Sequence, residues 1–255
     1  MVSENPTGSL FTTFDNKIAT VTFGHPASNS FPRELLDRLT AEFHNLSANP
    51  TITLIVIQSE GTGAFCAGAS FDELLSVSNE VEGTQFFSGF AHLINAMRSC
   101  SKLIVGRIQG KAVGGGVGIA CACDYTLATK NASIKLSELA IGIGPFVIEP
   151  VVSRKIGKTA MSEMTLAAEE WKSADWAVAK GLYASTFESI EALDIAITNF
   201  SAKLSSYNPD ALIEMKNVLW DGTQDWEALL VERAAISGRL VLSDFTKKAL
   251  LQFKK

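Results

Sequence analysis

The order of apolar and polar residues predicts strands that alternate with helices over roughly the first 150 residues. Apolar and polar side chains alternate from Lys17 to Phe23, as they do in a strand with one buried face. Residues 51–58 (TITLIVIQ) are rich in the β-branched residues that favour buried strands. Between these two strands, apolar residues recur at helical spacing after Arg33: Leu35, Leu36, Leu39, Phe43 and Leu46. The same reasoning predicts a helix over 86–97 and strands over 103–108, 123–129 and 132–136.

The last part of the chain has a helical pattern throughout. Helices are predicted over 159–166 and over 173–180, the second of which ends at Gly181. Two or three amphipathic segments follow between Pro209 and Phe253. Strands that alternate with helices, followed by helices alone, are typical of an α/β core with an α-helical C-terminal region. We place the boundary so that the chain divides into 1–195 and 196–255.

Composition and charge indicate a globular protein whose main partner is not a nucleic acid. Of the 255 residues, 47% are apolar and 19% are charged, and the formal net charge is −5. A protein that binds nucleic acid usually carries a basic face, which this acidic balance disfavours. No apolar run approaches the roughly 18 residues that a membrane span needs, and the first residues do not have the pattern of a signal peptide. We therefore expect a cytoplasmic protein that does not bind membranes.

The four cysteines predict neither a disulfide framework nor a metal site. Cys66, Cys121 and Cys123 stand among small apolar residues, where buried thiols are common. Cys121 and Cys123 form a pair, but neither a second pair nor a nearby histidine completes a zinc site. We expect structural thiols, no metal and no redox cofactor.

Two glycine-rich segments each follow a predicted strand and lead into a predicted helix. They are GAFCAGASFDEL (63–74), in which Ser70 and Glu73 fit a capping box, and KAVGGGVGIA (111–120). Backbone N–H groups at a helix start are unpaired and point toward whatever lies in front of them. Two such loops side by side form an oxyanion hole, with two donors around one oxygen, whereas each loop alone is a tight turn. Neither segment fits a dinucleotide-binding fingerprint or a P-loop.

Five segments together resemble the signature blocks of the crotonase superfamily, the enoyl-CoA hydratases and isomerases. They are NKIATVTFGHPASNSFPREL, AFCAGASFDEL, KAVGGGVGIACACDY, SELAIGI and SADWAVAKGL, and they span nearly the whole chain. The resemblance implies a crotonase-like spiral of ββα repeats with an α-helical C-terminal trimerisation region. It also implies a homotrimer or a dimer of trimers that acts on an acyl-CoA. Coenzyme A then arrives as part of the substrate, and no cofactor is needed.

The same resemblance assigns the residues of an acyl-CoA site. It places the thioester oxygen between the backbone N–H groups of Ala69 and Gly115, where a β-carbon would obstruct it. The catalytic carboxylate that the chain retains is Glu138. The motifs imply substrate-binding positions at Ser30, Ala67, Gly68, Ser70, Phe71, Gly114 and Gly118.

The chain departs from the hydratase pattern at one position. Hydratases of this family typically have a second glutamate three residues after the middle glycine of the triplet, and Gly118 stands there instead. One carboxylate suffices to move a proton along an acyl chain, whereas adding water is easier with two groups. We therefore expect an isomerase-like enzyme that uses Glu138 and passes through an enolate-like intermediate.

Two alternatives to this function stay open on the sequence. One is an enoyl-CoA hydratase with an altered acid/base set, including one for a branched or glutaconyl-type acyl-CoA. The other is a catalytically silent acyl-CoA binding protein. Glu149 is a further carboxylate near these motifs, and for it we expect a structural salt bridge rather than a catalytic role.

Apolar residues of the C-terminal region predict contacts between subunits. Their number exceeds what a lone helical appendage could hide, and such patches commonly mark oligomer interfaces. The residues concerned are Leu212, Leu219, Trp220, Leu229, Leu230, Leu240 and Leu242.

Overall fold

The described part of the chain contains eight strands, which form a central six-stranded sheet and a separate two-stranded sheet. The computed structural model describes residues 7–253, so residues 1–6, where we predict no signal peptide, lie outside the described range. The strands are β1 (Ser9–Asp15), β2 (Ile18–Gly24), β3 (Leu54–Ser59), β4 (Leu103–Ile108), β5 (Ala112–Val113), β6 (Tyr125–Thr129), β7 (Ile134–Lys135) and β8 (Ser185–Phe187). The large sheet has the order β1-β2-β3-β4-β6-β8, and β5 pairs with β7.

Within residues 7–253, ten α-helices connect and cover these sheets. They are α1 (Arg33–Ala48), α2 (Phe71–Ser76), α3 (Glu80–Ser99), α4 (Gly115–Ala122), α5 (Glu149–Leu166), α6 (Ala174–Ala179), α7 (Ile190–Ser205), α8 (Pro209–Leu219), α9 (Trp226–Leu240) and α10 (Asp244–Phe253). Strands β1 and β2 form an antiparallel hairpin, and the other neighbouring strands are parallel. Parallel neighbours need crossover connections, which α1, α3 and α4 contribute. The predicted α/β fold is confirmed.

Most of the predicted elements are present, although several begin at other residues. Helix α1 starts at the predicted position and buries its apolar stripe. Strand β3 begins at Leu54, three residues later than the pattern suggests. Helix α3 begins at Glu80 rather than at residue 86, because the Asn79 side chain accepts a hydrogen bond from the Glu82 N–H at 3.0 Å. Helix α5 is interrupted at Gly157, whose φ of 79° and ψ of 155° are not helical, so the predicted helix over 159–166 corresponds to its second part. The first part, which begins at Glu149, is not predicted.

The predicted elements do not include β1, β8 or α7. In β1, Phe11 and Phe14 are exposed, so no buried face alternates with a polar one. Strand β8 has only three residues. Helix α7 lies between the predicted helix over 173–180 and the segments that start at Pro209, and the prediction misses it although Leu193, Ile197, Phe200 and Leu204 recur at helical spacing and pack against the sheet.

The large sheet is buried on both faces. Successive residues of a strand point to opposite faces, so Ile55 and Ile57 of β3 join the main core with α1 and α3. Leu54 and Val56 point the other way, into a second apolar cluster covered by α7 and α8. This explains the near-continuous apolar runs of β3 and β4.

The C-terminal helices pack against the core of the same chain. Helices α3 and α9 cross so closely that a Cβ built on Gly83 would lie 2.6 Å from the carbonyl oxygen of Gly238. The predicted boundary at residue 195 falls inside α7. Helix α8 is held by Lys216, whose ammonium group pairs with the Asp124 carboxylate at 2.7 Å, with both side chains almost fully buried.

Because of this packing, most of the residues from which we predict subunit contacts are covered by their own chain. Of the seven residues on which that prediction rests, only Leu219 is exposed. Leu212, Trp220 and Leu230 are buried within the chain, and the other three pack partly buried against the main core. The exposed apolar side chains of this region are mostly other residues, spread over α7 to α10: Ile195, Tyr207, Met215, Val218, Leu219, Val231, Phe245 and Leu251. The seven residues therefore do not establish an interface.

Within residues 7–253 no helix has both the length and the apolar character that crossing a bilayer requires. The same residues contain no group of histidine, cysteine and carboxylate side chains that could hold a metal ion. All four cysteines are free and buried, and burial raises the pKa of Cys66, Cys121 and Cys123 to about 12.

Candidate active site

The two glycine loops lie side by side in the fold. The Val113 N–H donates to the carbonyl of Cys66 at 2.9 Å, and Cys66 also pairs with Ala112 in an isolated bridge. A Cβ built on Gly68 would lie 3.0 Å from the Val113 carbonyl oxygen and 3.7 Å from the Gly115 nitrogen. The loops therefore touch through their backbones, which requires a residue without a side chain at Gly68.

In each loop the N–H group of a central residue, Ala69 or Gly115, is left without an acceptor among the described residues. Gly114 has φ 52° and ψ −118°, a conformation that only glycine adopts readily, and it starts α4. The first N–H groups of α4 that bond within the helix are those of Val117 and Gly118, to the Gly114 carbonyl. Gly115 precedes them at the helix start, where an N–H has no partner within the helix. In the other loop, Phe31 bonds to Gly68 and Ser70 but not to Ala69. Over residues 7–253 the N–H groups of Ala69 and Gly115 have no acceptor.

Both loops open onto a cavity of about 500 Å³. Ala69 and Gly115 form part of its wall, as does Glu138. Helices α2 and α3 and the segment before α5 add a mainly apolar lining: Phe71, Leu74, Phe87, Phe90, Ile143 and Phe146. An apolar cavity with a few converging polar groups is the usual form of a small-molecule site.

Glu138 places its carboxylate directly beside the second glycine loop. It follows β7 and precedes a short 3-10 helix, Leu139–Ile141. A Cβ built on Gly114 would lie 2.7 Å from Glu138 Oε1, so a glycine is needed there for steric reasons as well. The other oxygen, Oε2, is buried and has no hydrogen-bond partner among the described residues. Burial raises the pKa of the carboxyl to about 7, partly offset by a hydrogen bond from its own backbone N–H.

The wall near Gly118 is apolar. A Cβ built on Gly118 would lie 2.5 Å from Ile148 Cγ2 and 3.7 Å from Ile94 Cδ1. Ile148 is only 3% exposed and lines the cavity. A hydrocarbon side chain thus fills the place that a carboxylate at position 118 would need.

The structure brings most of the predicted site residues to the cavity. Those on its wall are Ala67, Gly68, Ala69, Phe71, Gly114, Gly115 and Glu138. Three predicted binding residues are not on it. The Ser30 hydroxyl lies 3.2 Å from His25 Nδ1, and the Ser70 hydroxyl caps α2 by accepting from the Glu73 N–H. Gly118 is behind Ile148.

Glu149 also lies away from the cavity wall. Its Oε1 accepts a hydrogen bond from the Ser153 hydroxyl at 2.6 Å, one turn later in α5. Among the described residues it forms no ion pair, so the salt bridge that we predict for it is not present.

Several wall residues have no signal in the sequence motifs. Phe90 packs so tightly on the second loop that a Cβ on Gly115 would lie 2.2 Å from Phe90 Cε1. This contact, rather than the thioester alone, requires a glycine at 115. Ile148, Trp171 and Ser237 reach the cavity from α5, the segment before α6, and α9. The apolar pattern of α3 shows that its phenylalanines are buried. It does not show which of them face the cavity.

Comparison with known proteins identifies relatives of this chain. A sequence model described as "Enoyl-CoA hydratase/isomerase" matches residues 13–248. The short-chain-enoyl-CoA hydratase of Clostridium acetobutylicum is 26% identical over 242 residues, 94% of this chain and 92% of that protein. The mitochondrial methylglutaconyl-CoA hydratase of Mus musculus is 27% identical over 232 residues, 89% of this chain and 73% of that protein. A crystal structure of enoyl-CoA hydratase from Bacillus halodurans has the same fold, with a TM-score of 0.87 at 22% identity over 95% of this chain and 99% of that one.

Proposed function

The chain belongs to the enoyl-CoA hydratase/isomerase family and is an acyl-CoA enzyme, and from this premise we propose that it moves a double bond along the acyl chain. Glu138 takes a proton from carbon 2 of a 3-enoyl thioester, and the negative charge moves onto the thioester oxygen. The N–H groups of Ala69 and Gly115 stabilise that oxygen. Glu138 then gives the same proton to carbon 4, which leaves a conjugated 2-enoyl thioester. No water is consumed.

The contact between Ile148 and Gly118 is the observation that supports isomerisation over hydration. Hydration needs one group to activate water and another to protonate carbon. Glu138 lies beside the oxyanion donors and can serve as one of these groups. The space where a side chain at position 118 would supply the other is filled by the Ile148 side chain. A hydrocarbon neither takes up nor donates a proton, and it keeps water away from that face of the acyl group.

The environment of Glu138 suits a group that both removes and returns a proton. With a pKa of about 7, the carboxyl is present in both protonation states near neutral pH. An acid–base group is most effective when its pKa is near the working pH. The buried Oε2, which lacks a partner among the described residues, is free to receive a proton from the substrate.

Hydration is the second candidate, favoured by the names of the relatives. The Clostridium acetobutylicum and Mus musculus proteins are both named as hydratases, the second for methylglutaconyl-CoA. In this reading Glu138 alone activates a water molecule and later supplies the proton. The catalytically silent alternative is less well supported, because a binding protein has no need for a desolvated carboxylate at the reacting carbons.

We also propose a homotrimer or a dimer of trimers in the cytoplasm, acting on acyl-CoA without a cofactor and without binding nucleic acid or membranes. The exposed apolar side chains of α7 and α8 are the candidate contact surface. A sedimentation-equilibrium mass equal to one 27.4 kDa chain would contradict the assembly.

The reaction is tested with two enoyl-CoA isomers in deuterated water. Isomerisation predicts that 3-enoyl-CoA gains the ultraviolet absorbance of a conjugated thioester, with the migrating hydrogen partly retained in the product. Hydration predicts that 2-enoyl-CoA loses this absorbance and forms a 3-hydroxyacyl-CoA. Tight binding of both isomers with neither change would support the silent alternative and refute the proposal.

A further inference from the structure

Two lysine ammonium groups lie over one tryptophan ring at the rim of the cavity. Lys111 Nζ is 4.8 Å and Lys135 Nζ is 5.6 Å from the centre of the Trp171 ring. Trp171 and Lys135 line the cavity, and Trp171 is 44% exposed. The bridge between Ile134 and Lys172 holds Trp171 beside β7, so this grouping belongs to the fold rather than to a mobile tail.

The position of the lysines relative to the oxyanion donors follows from the two-stranded sheet. Strand β5 runs from Lys111 toward Gly115, and Lys135 pairs with Val113, two residues before Gly115. With about 3.3 Å per residue along a strand and about 4.8 Å between strands, the backbone of Lys135 lies ~8 Å from that of Gly115, and the backbone of Lys111, four residues before Gly115, lies up to ~13 Å from it. Glu138 follows Lys135 by three residues, so the proton-transfer group lies on the same wall.

The charge of this rim is not neutralised by ion pairs. Among the described residues, neither Lys111 nor Lys135 pairs with a carboxylate. Lys172, by contrast, pairs with both Glu163 and Glu170 at 3.0 Å. Glu138 and Glu169 are carboxylates on the same cavity wall, so the two lysines balance their charge, but neither carboxylate lies within 4.0 Å of Lys111 Nζ or Lys135 Nζ.

We infer that Lys111 and Lys135 bind an anionic group at the end of the acyl chain remote from the thioester, which makes a short dicarboxylic acyl-CoA the substrate class. The inference rests on the proposed acyl-CoA site. A carboxylate accepts hydrogen bonds from ammonium groups, and Trp171 shields such a pair from water on one side. The coenzyme phosphates are the other anions available, but they lie at the far end of the long pantetheine arm. The short backbone distance between Lys135 and the oxyanion donors therefore favours an acyl carboxylate.

The test compares two saturated ligands of equal chain length, glutaryl-CoA and valeryl-CoA, by titration calorimetry. They differ only in a terminal carboxylate against a methyl group, and neither contains a double bond to isomerise. We expect the unmodified protein to bind glutaryl-CoA more tightly. The Lys111→Gln/Lys135→Gln variant should lose about tenfold or more of its glutaryl-CoA affinity, as expected for charged hydrogen bonds, with valeryl-CoA affinity unchanged. Lys203→Gln, a change of an exposed lysine on α7, is the matched control.

A third ligand, the glutaryl thioester of pantetheine, separates the two sources of negative charge. It lacks the coenzyme phosphates, and we expect its affinity to fall in the double variant as well. Equal losses for glutaryl-CoA and valeryl-CoA would show that the lysines bind the coenzyme, and no loss for either would show that they bind neither. Both results overturn the inference while leaving the proposed function intact. If the unmodified protein binds no acyl-CoA, the proposed function fails and the inference with it.

Discussion

The side chain of Ile148 occupies the space that a side chain on Gly118 would enter, with only 2.5 Å between Ile148 Cγ2 and the Cβ position of Gly118. The packing of these two residues therefore leaves no room for the second glutamate that hydratases of this family typically have at position 118. Gly118 lies in α4, and Ile148 immediately precedes α5. Restoring a glutamate requires a change at both positions.

Gly118→Glu alone is expected to destabilise the protein by about 1–3 kcal/mol, because it forces a larger group into a filled site. Gly118→Glu/Ile148→Ala removes the obstruction, and we expect it to recover part of the stability and to increase hydration relative to isomerisation. Urea unfolding and the product ratio from an enoyl-CoA measure the two effects. Ile148→Ala alone is the control for simple enlargement of the cavity. Equal hydration by the control and the double variant would contradict the role given to the carboxylate.

Glu138→Gln preserves the size of the side chain but cannot take up a proton. We expect turnover to fall by about 100- to 10,000-fold, the usual contribution of a general acid–base group, with little change in acyl-CoA affinity. Steady-state rates and calorimetry measure the two quantities. Glu149→Gln is the matched control, because Glu149 bonds to Ser153 away from the cavity. An unchanged rate in a folded Glu138→Gln protein would remove Glu138 from the mechanism.

The raised pKa of Glu138 predicts opposite effects of pH on rate and on stability. Proton removal needs the carboxylate, so the rate should rise as the pH increases through about 7. In the unfolded chain the carboxyl ionises near its ordinary pKa of 4.5, so burial of the neutral form stabilises the fold at low pH. This contribution to the free energy of unfolding is lost as the pH rises from 4.5 through 7. Urea unfolding of the protein and of Glu138→Gln at both ends of this range measures it, and parallel curves would contradict the assignment.

Lys216→Met is expected to destabilise the protein by about 3–5 kcal/mol, because it leaves the buried Asp124 carboxylate without its ion-pair partner. Trp220 Nε1 and the backbone N–H of Ile104 also donate to Asp124, but neither carries a charge. Lys216→Met/Asp124→Asn should recover much of the loss, since no charge then stays buried. Urea midpoints of the two variants test this, and equal destabilisation would show that the lysine acts through packing alone.

Those parts of the site that lie within one loop could be predicted from the sequence. Ala69, Gly115 and Glu138 are fixed by local motifs, and the structure places all three on one cavity wall. Contacts between distant segments could not be predicted. The proximity of Phe90 to Gly115 depends on how α3 lies over α4, and it means that Gly115→Val would disturb packing before it tested the oxyanion donor.

The C-terminal region shows the same limit on a larger scale. Its apolar pattern correctly predicts helices, but it does not tell whether the partner surface belongs to the same chain or to another. Leu230 of α9 is buried internally, and Gly83 and Gly238 allow α9 to approach α3 closely. Two isolated glycines 155 positions apart in the sequence give no periodic signal of such a crossing.

The crossing of Gly83 with Gly238 also sets the order in which the cavity is completed on the ribosome. Helix α3 and both glycine loops emerge early, whereas Ser237, which belongs to the cavity wall, emerges almost last. Until α9 has been synthesised, the nascent chain carries Glu138 and the oxyanion donors beside an uncovered face of α3. The apolar face of α3 that α9 covers therefore stays exposed until the C-terminal helices are available to pack, which makes the closing of the cavity a late step of folding.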